Sequence, residues 1–193
     1  VPPERETLVQ EGAAGLLPVR LGRDGGDLRP QVRAPRARRL GGAELAPALL
    51  AAALAPMRGA GDTGLQSALW SNGPHWWLTP LADAAAVRAL SEDAGLDMAA
   101  IAALSRATGA VGLAVFAPEA RDGHHLAVRA FCPADNIPED PVTGSAQAAI
   151  AASLADIGHL PGADGRYVGS QGRELGRDGR VEVEVDAGGE VWI

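Results

Sequence analysis

No lysine occurs in this chain of 193 residues; all 17 basic residues are arginine. That absence is a bias of composition rather than a chemical signal. Cysteine is nearly absent as well. With Cys132 alone, neither an intrachain disulfide nor a zinc–thiolate cluster can form, which fits a reducing, cytoplasmic setting. Aromatic residues make up only 4%, so the core has to be built from aliphatic side chains. No apolar run reaches the roughly 18 residues of a membrane span. The four histidines, His75, His124, His125 and His159, are scattered with no Cys or Glu at ligand spacing, which excludes a recognisable metal site. Val1-Pro2-Pro3 has neither a signal-peptide shape nor an initiator Met, and the chain is expected to be incomplete at its start.

What is present describes a folded protein. Hydrophobic residues reach 47%, with alanine prominent, and 25 Gly plus 14 Pro call for many turns and short strands. The net charge of −7 gives no reason to expect a nucleic-acid partner. Against that background, residues 20–39 carry seven arginines beside Asp24 and Asp27. A solvated strand and loop surface is the plainer account; contact with a partner or an acidic ligand is the alternative.

Periodicity and turn residues give the element order. Residues 8–32 read as a hairpin, its first strand containing Leu16, Leu17, Val19 and Leu21 and its turn Arg23-Asp-Gly-Gly26. Residues 43–55 read as one helix with Pro47 in its first turns. A turn and a buried strand follow over 65–81, then helices over 83–90 and 97–107. Val111 to Phe116 and His125 to Phe131 are expected strands, joined by a loop from Pro118 to Gly123 that puts His124 and His125 near its tip. Residues 145–157 read as a helix with one apolar face, closed by Gly158. Strands near 166–170, 180–185 and 190–193 complete the chain. Short strands around few helices, without strict βαβ alternation, indicate an α+β domain.

The chemical signal is concentrated in Phe131-Cys-Pro-Ala-Asp-Asn-Ile-Pro-Glu-Asp-Pro-Val-Thr-Gly-Ser-Ala146. This is a strand exit, a polar loop stiffened by Pro138 and Pro141, and a helix start. Thr143, Gly144 and Ser145 gather free backbone N–H groups at the positive end of a helix dipole, an arrangement suited to a carboxylate. Gly144 would let a ligand approach the backbone. Asp140, just ahead, could bond an amine or hydroxyl, and Ser145 could cap the helix or donate to the ligand. The competing account is that Asp140 and Ser145 only tie a turn and cap a helix.

Glu139-Asp-Pro-Val-Thr-Gly-Ser-Ala146 resembles the signature of the PhzF-like (phenazine biosynthesis) branch of the diaminopimelate-epimerase-like fold. Supporting matches run in order: Glu11-Gly-Ala-Ala-Gly-Leu-Leu-Pro-Val-Arg20, Ser71-Asn-Gly-Pro-His-Trp-Trp-Leu78, Arg129-Ala-Phe-Cys-Pro133 and Gln171-Gly-Arg-Glu-Leu-Gly-Arg177. The resemblance implies two similar lobes, each a curved sheet or barrel around a central helix, with the ligand between them. Residues 1–35 would be the end of the first lobe and the junction. Residues 36–193 would be the second lobe, with its central helix at about 145–157.

The same resemblance implies an isomerase that moves a proton on a small carboxylate-bearing metabolite without metal or organic cofactor. Asp140 and Ser145 correspond to its second-lobe catalytic residues, and Thr143, Gly144, Asn72 and His75 are the expected substrate contacts. The family's first-lobe glutamate and histidine have no counterpart here, and Glu4, Glu6 and Glu11 do not fit their motif. A homodimer or a partner chain is therefore expected to complete the site. A non-catalytic ligand-binding or assembly protein of the same fold is the alternative. A cysteine-pair racemase is disfavoured by the lone Cys132, read as a core residue. Trp70, Trp76 and Trp77 are expected in the core or at the lobe interface, with a substrate wall as the other possibility.

Overall fold

The computed structural model describes residues 7–12, 15–24, 27–57 and 65–193. Strands β1 (Thr7–Gly12), β2 (Gly15–Asp24) and β3 (Asp27–Val32) form a small antiparallel sheet, one strand more than the expected hairpin. Gly25 and Gly26 of the expected turn lie outside the described residues. Both Val9 and Leu16 are exposed on this sheet.

The principal sheet comprises β4 (Arg38–Gly41), β5 (Ala68–Ser71), β6 (His75–Pro80), β7 (Gly112–Arg121), β8 (His124–Cys132), β9 (Ile137–Asp140), β10 (Arg166–Gln171), β11 (Gly179–Val185) and β12 (Val191–Trp192). Its order is β12-β11-β10-β8-β7-β6-β5-β4, with β9 paired to β8 off that path. The sheet curls until its two ends nearly meet. Val32 and Ile193 exchange backbone hydrogen bonds of 2.7 and 3.0 Å, and Ala34 N–H donates to Val191 O at 2.9 Å. The segment leading into β4 thus also pairs with β12 at the far edge.

Inside the curve lies α4 (Gly144–Asp156), packed against strands from both ends of the order: β4, β6, β11 and β12. Ala146, Gln147, Ala148, Ala149, Ile150, Ala151 and Leu154 are all buried. Over residues 146–151 the helix is covered on every side rather than on the single apolar face expected, while Ala152, Ser153 and Ala155 are half-buried and Asp156 is exposed. Alanine explains the difference, because its small side chain lets a sheet approach any face of the helix closely.

Helices α1 (Pro47–Ala53), α2 (Ala84–Arg88) and α3 (Met98–Thr108) cover the convex face. Strand alternation divides the side chains between two cores. Trp76, Leu78, Phe116, Val128 and Cys132 point inward to α4, while Trp77, Val115 and Phe131 pack outward with Leu50, Ile101 and Leu104. The tryptophans are therefore core residues: Trp70 and Trp76 lie opposite each other across β5 and β6, and Trp77 donates its indole N–H to Thr108 Oγ1 at 3.0 Å.

Several expected elements take a different form. The helix over 43–55 divides into a 3₁₀ turn at Ala43–Leu45 and α1, because Pro47 supplies no amide and opens a new helix instead of continuing one. Residues 65–81 hold two strands rather than one. β7 and β8 extend through most of the expected loop, so His124 is a buried strand residue. The Pro138 segment is strand β9, which tolerates proline because it is a short edge. The α+β architecture of a curved sheet around a central helix matches the diaminopimelate-epimerase-like fold.

The encasement of α4 has a measurable consequence. Ala149 is fully buried, so Ala149→Leu is expected to lower stability by about 1–3 kcal/mol through overpacking. Urea denaturation checks this, and an unchanged midpoint would show that the sheet does not close on the helix.

Candidate functional site at the start of the central helix

Strand β9 delivers Asp140 to the start of α4, and its own orientation is set by Glu139. The Glu139 carboxylate receives two bonds from Arg129, Nε to Oε1 at 2.9 Å and Nη2 to Oε2 at 2.7 Å, and both side chains are only 6% exposed. Arg129 Nη1 also donates to the carbonyls of Val87 and Leu90 at the end of α2. A buried guanidinium with its donors occupied on several sides is an anchor of low freedom. Because neighbouring side chains in a strand point to opposite faces, fixing Glu139 outward turns Asp140 inward. There its Oδ2 accepts the Thr143 hydroxyl at 2.7 Å.

Thr143 is the N-cap of α4, yet its side chain makes no bond to the helix amides. It is spent on Asp140. The Thr143 amide is taken by Gln171 Oε1 at 3.1 Å. The next three amides, of Gly144, Ser145 and Ala146, have no acceptor among the described residues. These are the orphan donors of a helix N-terminus, on the side of the dipole that attracts anions; Gly144 and Ser145 are half-buried and Ala146 is fully buried. A Cβ added at Gly144 would lie 3.0 Å from Ile193 Cδ1, so the glycine also serves the packing of the C-terminal strand.

Ser145 is gripped from the β5–β6 side. Asn72 Nδ2 donates to Ser145 O at 2.8 Å, and Trp76 Nε1 donates to Ser145 Oγ at 3.1 Å. An indole N–H can only donate, so the Ser145 hydroxyl accepts there and keeps its hydrogen for another partner. Asn72 is 3% exposed, and its Oδ1 has no partner in the structure. His75 occupies the first position of β6, one residue before Trp76, and alternation turns it toward the opposite face. Its buried Nδ1 is unpartnered, and no hydrogen bond connects it to the α4 start. The structure thus brings Asp140, Thr143, Gly144, Ser145 and Asn72 together and leaves His75 apart.

Four contributors escaped the sequence reading: Gln171, Gln147, Arg129 and Glu139. The first three are remote from the 140–145 loop in sequence or buried beneath it. A legible signal existed in Gln147, a lone polar residue in the run Ala146 to Ala149. A partly open apolar cavity of about 340 Å³, lined by Leu81, Phe116, Leu126, Leu154 and His159, lies at the other end of α4. At the α4 start, Asp140, Gly144 and Ser145 are half-buried, while Thr143 and Ala146 are buried. Among the described residues no group of His, Cys, Asp or Glu could hold a metal ion, and no helix is long and apolar enough to cross a membrane.

Comparison with known proteins agrees with this fold. Residues 1–191 match the family described as phenazine biosynthesis-like protein, PhzC-PhzF. The chain belongs to that family. A Deinococcus radiodurans protein called an uncharacterized isomerase is 38% identical over 193 residues, which cover 95% of this chain and 59% of that protein. A PhzF-family structure from Bacillus anthracis superposes with a TM-score of 0.66 at 20% identity, covering 98% of this chain and 64% of that one. A predicted epimerase from Pseudomonas aeruginosa gives 0.64 at 24% identity, over 96% and 61%. The two structures establish the shared fold, and this PhzF-family chain spans about three fifths of the length of these relatives.

Cys132 lies in the inner core, away from any second cysteine. Burial, and then the charges of Asp140 and Asp135, push its thiol from 9.0 up to about 12. The folded chain therefore holds a proton that the unfolded chain releases, so this contribution is complete below pH 9 and declines as pH rises from 9 toward 12. Burial pushes the Tyr167 phenol upward as well, so only a comparison isolates the thiol. Stability of the wild-type chain should fall more steeply between pH 9 and 11 than that of Cys132→Ala, by up to about 1.4 kcal/mol per pH unit. Equal slopes in urea titrations would place the thiol in contact with solvent.

Proposed function

We propose that this chain forms the second-lobe wall of a PhzF-like isomerase that transfers a proton on a small carboxylate-bearing metabolite. The observation that carries the reading is the set of unoccupied Gly144, Ser145 and Ala146 amides directly beside a carboxylate, Asp140, held by its own hydrogen bond. The amides and the helix dipole would receive the substrate carboxylate, with Thr143 and Gly144 forming the turn. The free hydrogen of Ser145 would donate to the same group. Asp140 would accept from, or exchange a proton with, the part of the substrate next to that carboxylate. Asn72 supports the reading by holding Ser145, and its unpartnered Oδ1 is an acceptor for a ligand donor. His75 would contribute only after its ring turns toward the cleft.

On this reading residues 1–35 close a first lobe and residues 36–193 form the second. The proton-shuttling glutamate and the binding histidine of the family come from the first lobe, supplied by the same protein, a second copy in a homodimer, or a partner chain. Kinship to a protein named as an isomerase supports the reaction class. No metal or organic cofactor enters the reaction, and the cytoplasm suits a chain with one buried thiol.

Asp140→Asn in the full-length protein tests this directly. The amide oxygen still accepts from Thr143, so the turn survives while charge and basicity are lost. Turnover, followed as exchange of substrate hydrogen with D₂O, should fall about 100-fold or more. Thermal unfolding should register a stability change of only about 1 kcal/mol. Undiminished turnover would reduce Asp140 to a structural tie and favour a ligand-binding protein without catalysis.

A further inference from the structure

Gln171 lies at the end of β10, 28 residues beyond Thr143, and its side chain is completely buried beneath the α4 start. Four polar groups surround its amide. Its Oε1 accepts from Thr143 N–H at 3.1 Å and from Gln147 Nε2 at 3.2 Å. Its Nε2 donates to Asp140 O at 2.9 Å and to Thr143 Oγ1 at 2.8 Å. The orientation of this amide is unambiguous. A backbone N–H can only donate and a backbone carbonyl can only accept, so the oxygen must face Thr143 N and the nitrogen must face Asp140 O.

That orientation sets the next hydrogen in turn. The Thr143 oxygen receives a hydrogen from Gln171, so its own hydrogen is directed to Asp140 Oδ2, 2.7 Å away. Gln147, itself fully buried, steadies the chain from within α4. It fits because residue 169 is glycine; a Cβ there would approach Gln147 Oε1 to 2.4 Å. The result is a one-directional relay, Gln147 to Gln171 to Thr143 to Asp140, in which the donor of each link is assigned.

The relay bears on a competition within the site. Among the described residues Asp140 is the only carboxylate bonded to the N-cap residue of α4, and the amides of Gly144, Ser145 and Ala146, a few residues on, have no acceptor there. A free aspartate in this position is the natural intramolecular ligand for those amides, since carboxylates are favoured helix caps. As an attached anion it would compete with any external one at high effective concentration. Thr143, which could itself have capped the helix, bonds Asp140 instead.

We propose that Gln171, acting through the Thr143 hydroxyl, is a positioning residue that holds the Asp140 carboxylate off the α4 amides and so keeps them open for an anionic ligand. The proposal rests on the reading of those amides as the carboxylate site. It assigns a function to a buried side chain on the closing hairpin, and it makes the openness of the site an outcome of Thr143 chemistry rather than of helix geometry alone.

The test uses inorganic sulfate as the probe and the ¹⁵N amide signals of residues 144–146 as the readout. The full-length protein is used in its wild-type, Thr143→Val, Thr143→Ser, Gln171→Glu, Asp140→Asn and Asp140→Asn/Thr143→Val forms. Thr143→Val keeps the side-chain shape and removes the relay hydroxyl. Gln171→Glu keeps the acceptor and removes both donors, which turns the Thr143 hydroxyl away from Asp140. Sulfate should bind about tenfold or more weakly to each of these, with most of the loss recovered in Thr143→Ser. The decisive form is the double variant, because removing the competing charge makes the relay unnecessary. Asp140→Asn/Thr143→Val should bind sulfate as tightly as Asp140→Asn alone, a coupling that general loss of structure would not produce.

Wild-type affinity in both Thr143→Val and Gln171→Glu, with sulfate still shifting the 144–146 amides, would overturn the relay and leave the anion site standing. A double variant as weak as Thr143→Val alone would overturn it too. If sulfate leaves the 144–146 amides of the wild-type protein unmoved, the reading of the site and the relay both fall. Should Gln171→Glu not fold, the Thr143 series carries the decision.

Discussion

A helix buried on every side over residues 146–151 can meet a ligand only before or beyond that stretch. Alanines at 146, 148, 149 and 151 allow that enclosure, and the pairing of residues 32–34 with β12 draws the two ends of the sheet together around them. The C-terminal end of α4 adjoins an apolar cavity lined by Leu154 and Phe116. The N-terminal end carries unoccupied amides beside a carboxylate. The proposed chemistry on a small anion is therefore assigned to the start of the helix, and the remaining elements can be understood by how they hold that start in place.

Two buried polar assemblies do so from opposite sides. On the convex side, Arg129 links Glu139 of β9 to the last carbonyls of α2, tying the strand that carries Asp140 to the outer layer. Breaking such a pair on one side would leave a buried charge without compensation, at about 3–5 kcal/mol. On the concave side, the amides of Gln147 and Gln171 fill the space beneath Thr143. Apart from Asp140, the charges of these two assemblies lie on the outer side, and neutral amides line the inner side. That separation leaves the carboxylate of Asp140 and the helix amides, with the Ser145 hydroxyl and Asn72 Oδ1, as groups able to interact with an anionic or polar ligand there.

Much of this was legible in the sequence, and the limits have physical causes. The central helix was expected over 145–157 and runs from Gly144 to Asp156. The signature from Glu139 to Ala146 located the Asp140–Thr143–Ser145 cluster because those residues are close along the chain. Asn72 came from a motif, and the structure brings it to Ser145 across 73 residues. Gln171 was visible only as part of a closing hairpin, since nothing local reveals that a side chain folds under a loop 28 residues away. Alanine misled the reading of α4 as one-faced, because a methyl group weighs little in an amphipathic pattern yet suffices for burial. His124 seemed a loop-tip residue because Asp122-Gly123 signals a turn. The turn is there, but it is tight, and the strands on either side of it are longer than expected.

The central claim, that the start of α4 receives the carboxylate of the ligand, is tested most directly by a crystal structure of the full-length protein with a small carboxylate such as acetate or an α-amino acid bound. The account predicts the carboxylate oxygens within hydrogen-bonding distance, about 2.7–3.1 Å, of the Gly144, Ser145 and Ala146 amides, with Asp140 still bonded to Thr143. A carboxylate bound elsewhere, with those amides turned against protein or occupied by Asp140, would contradict it.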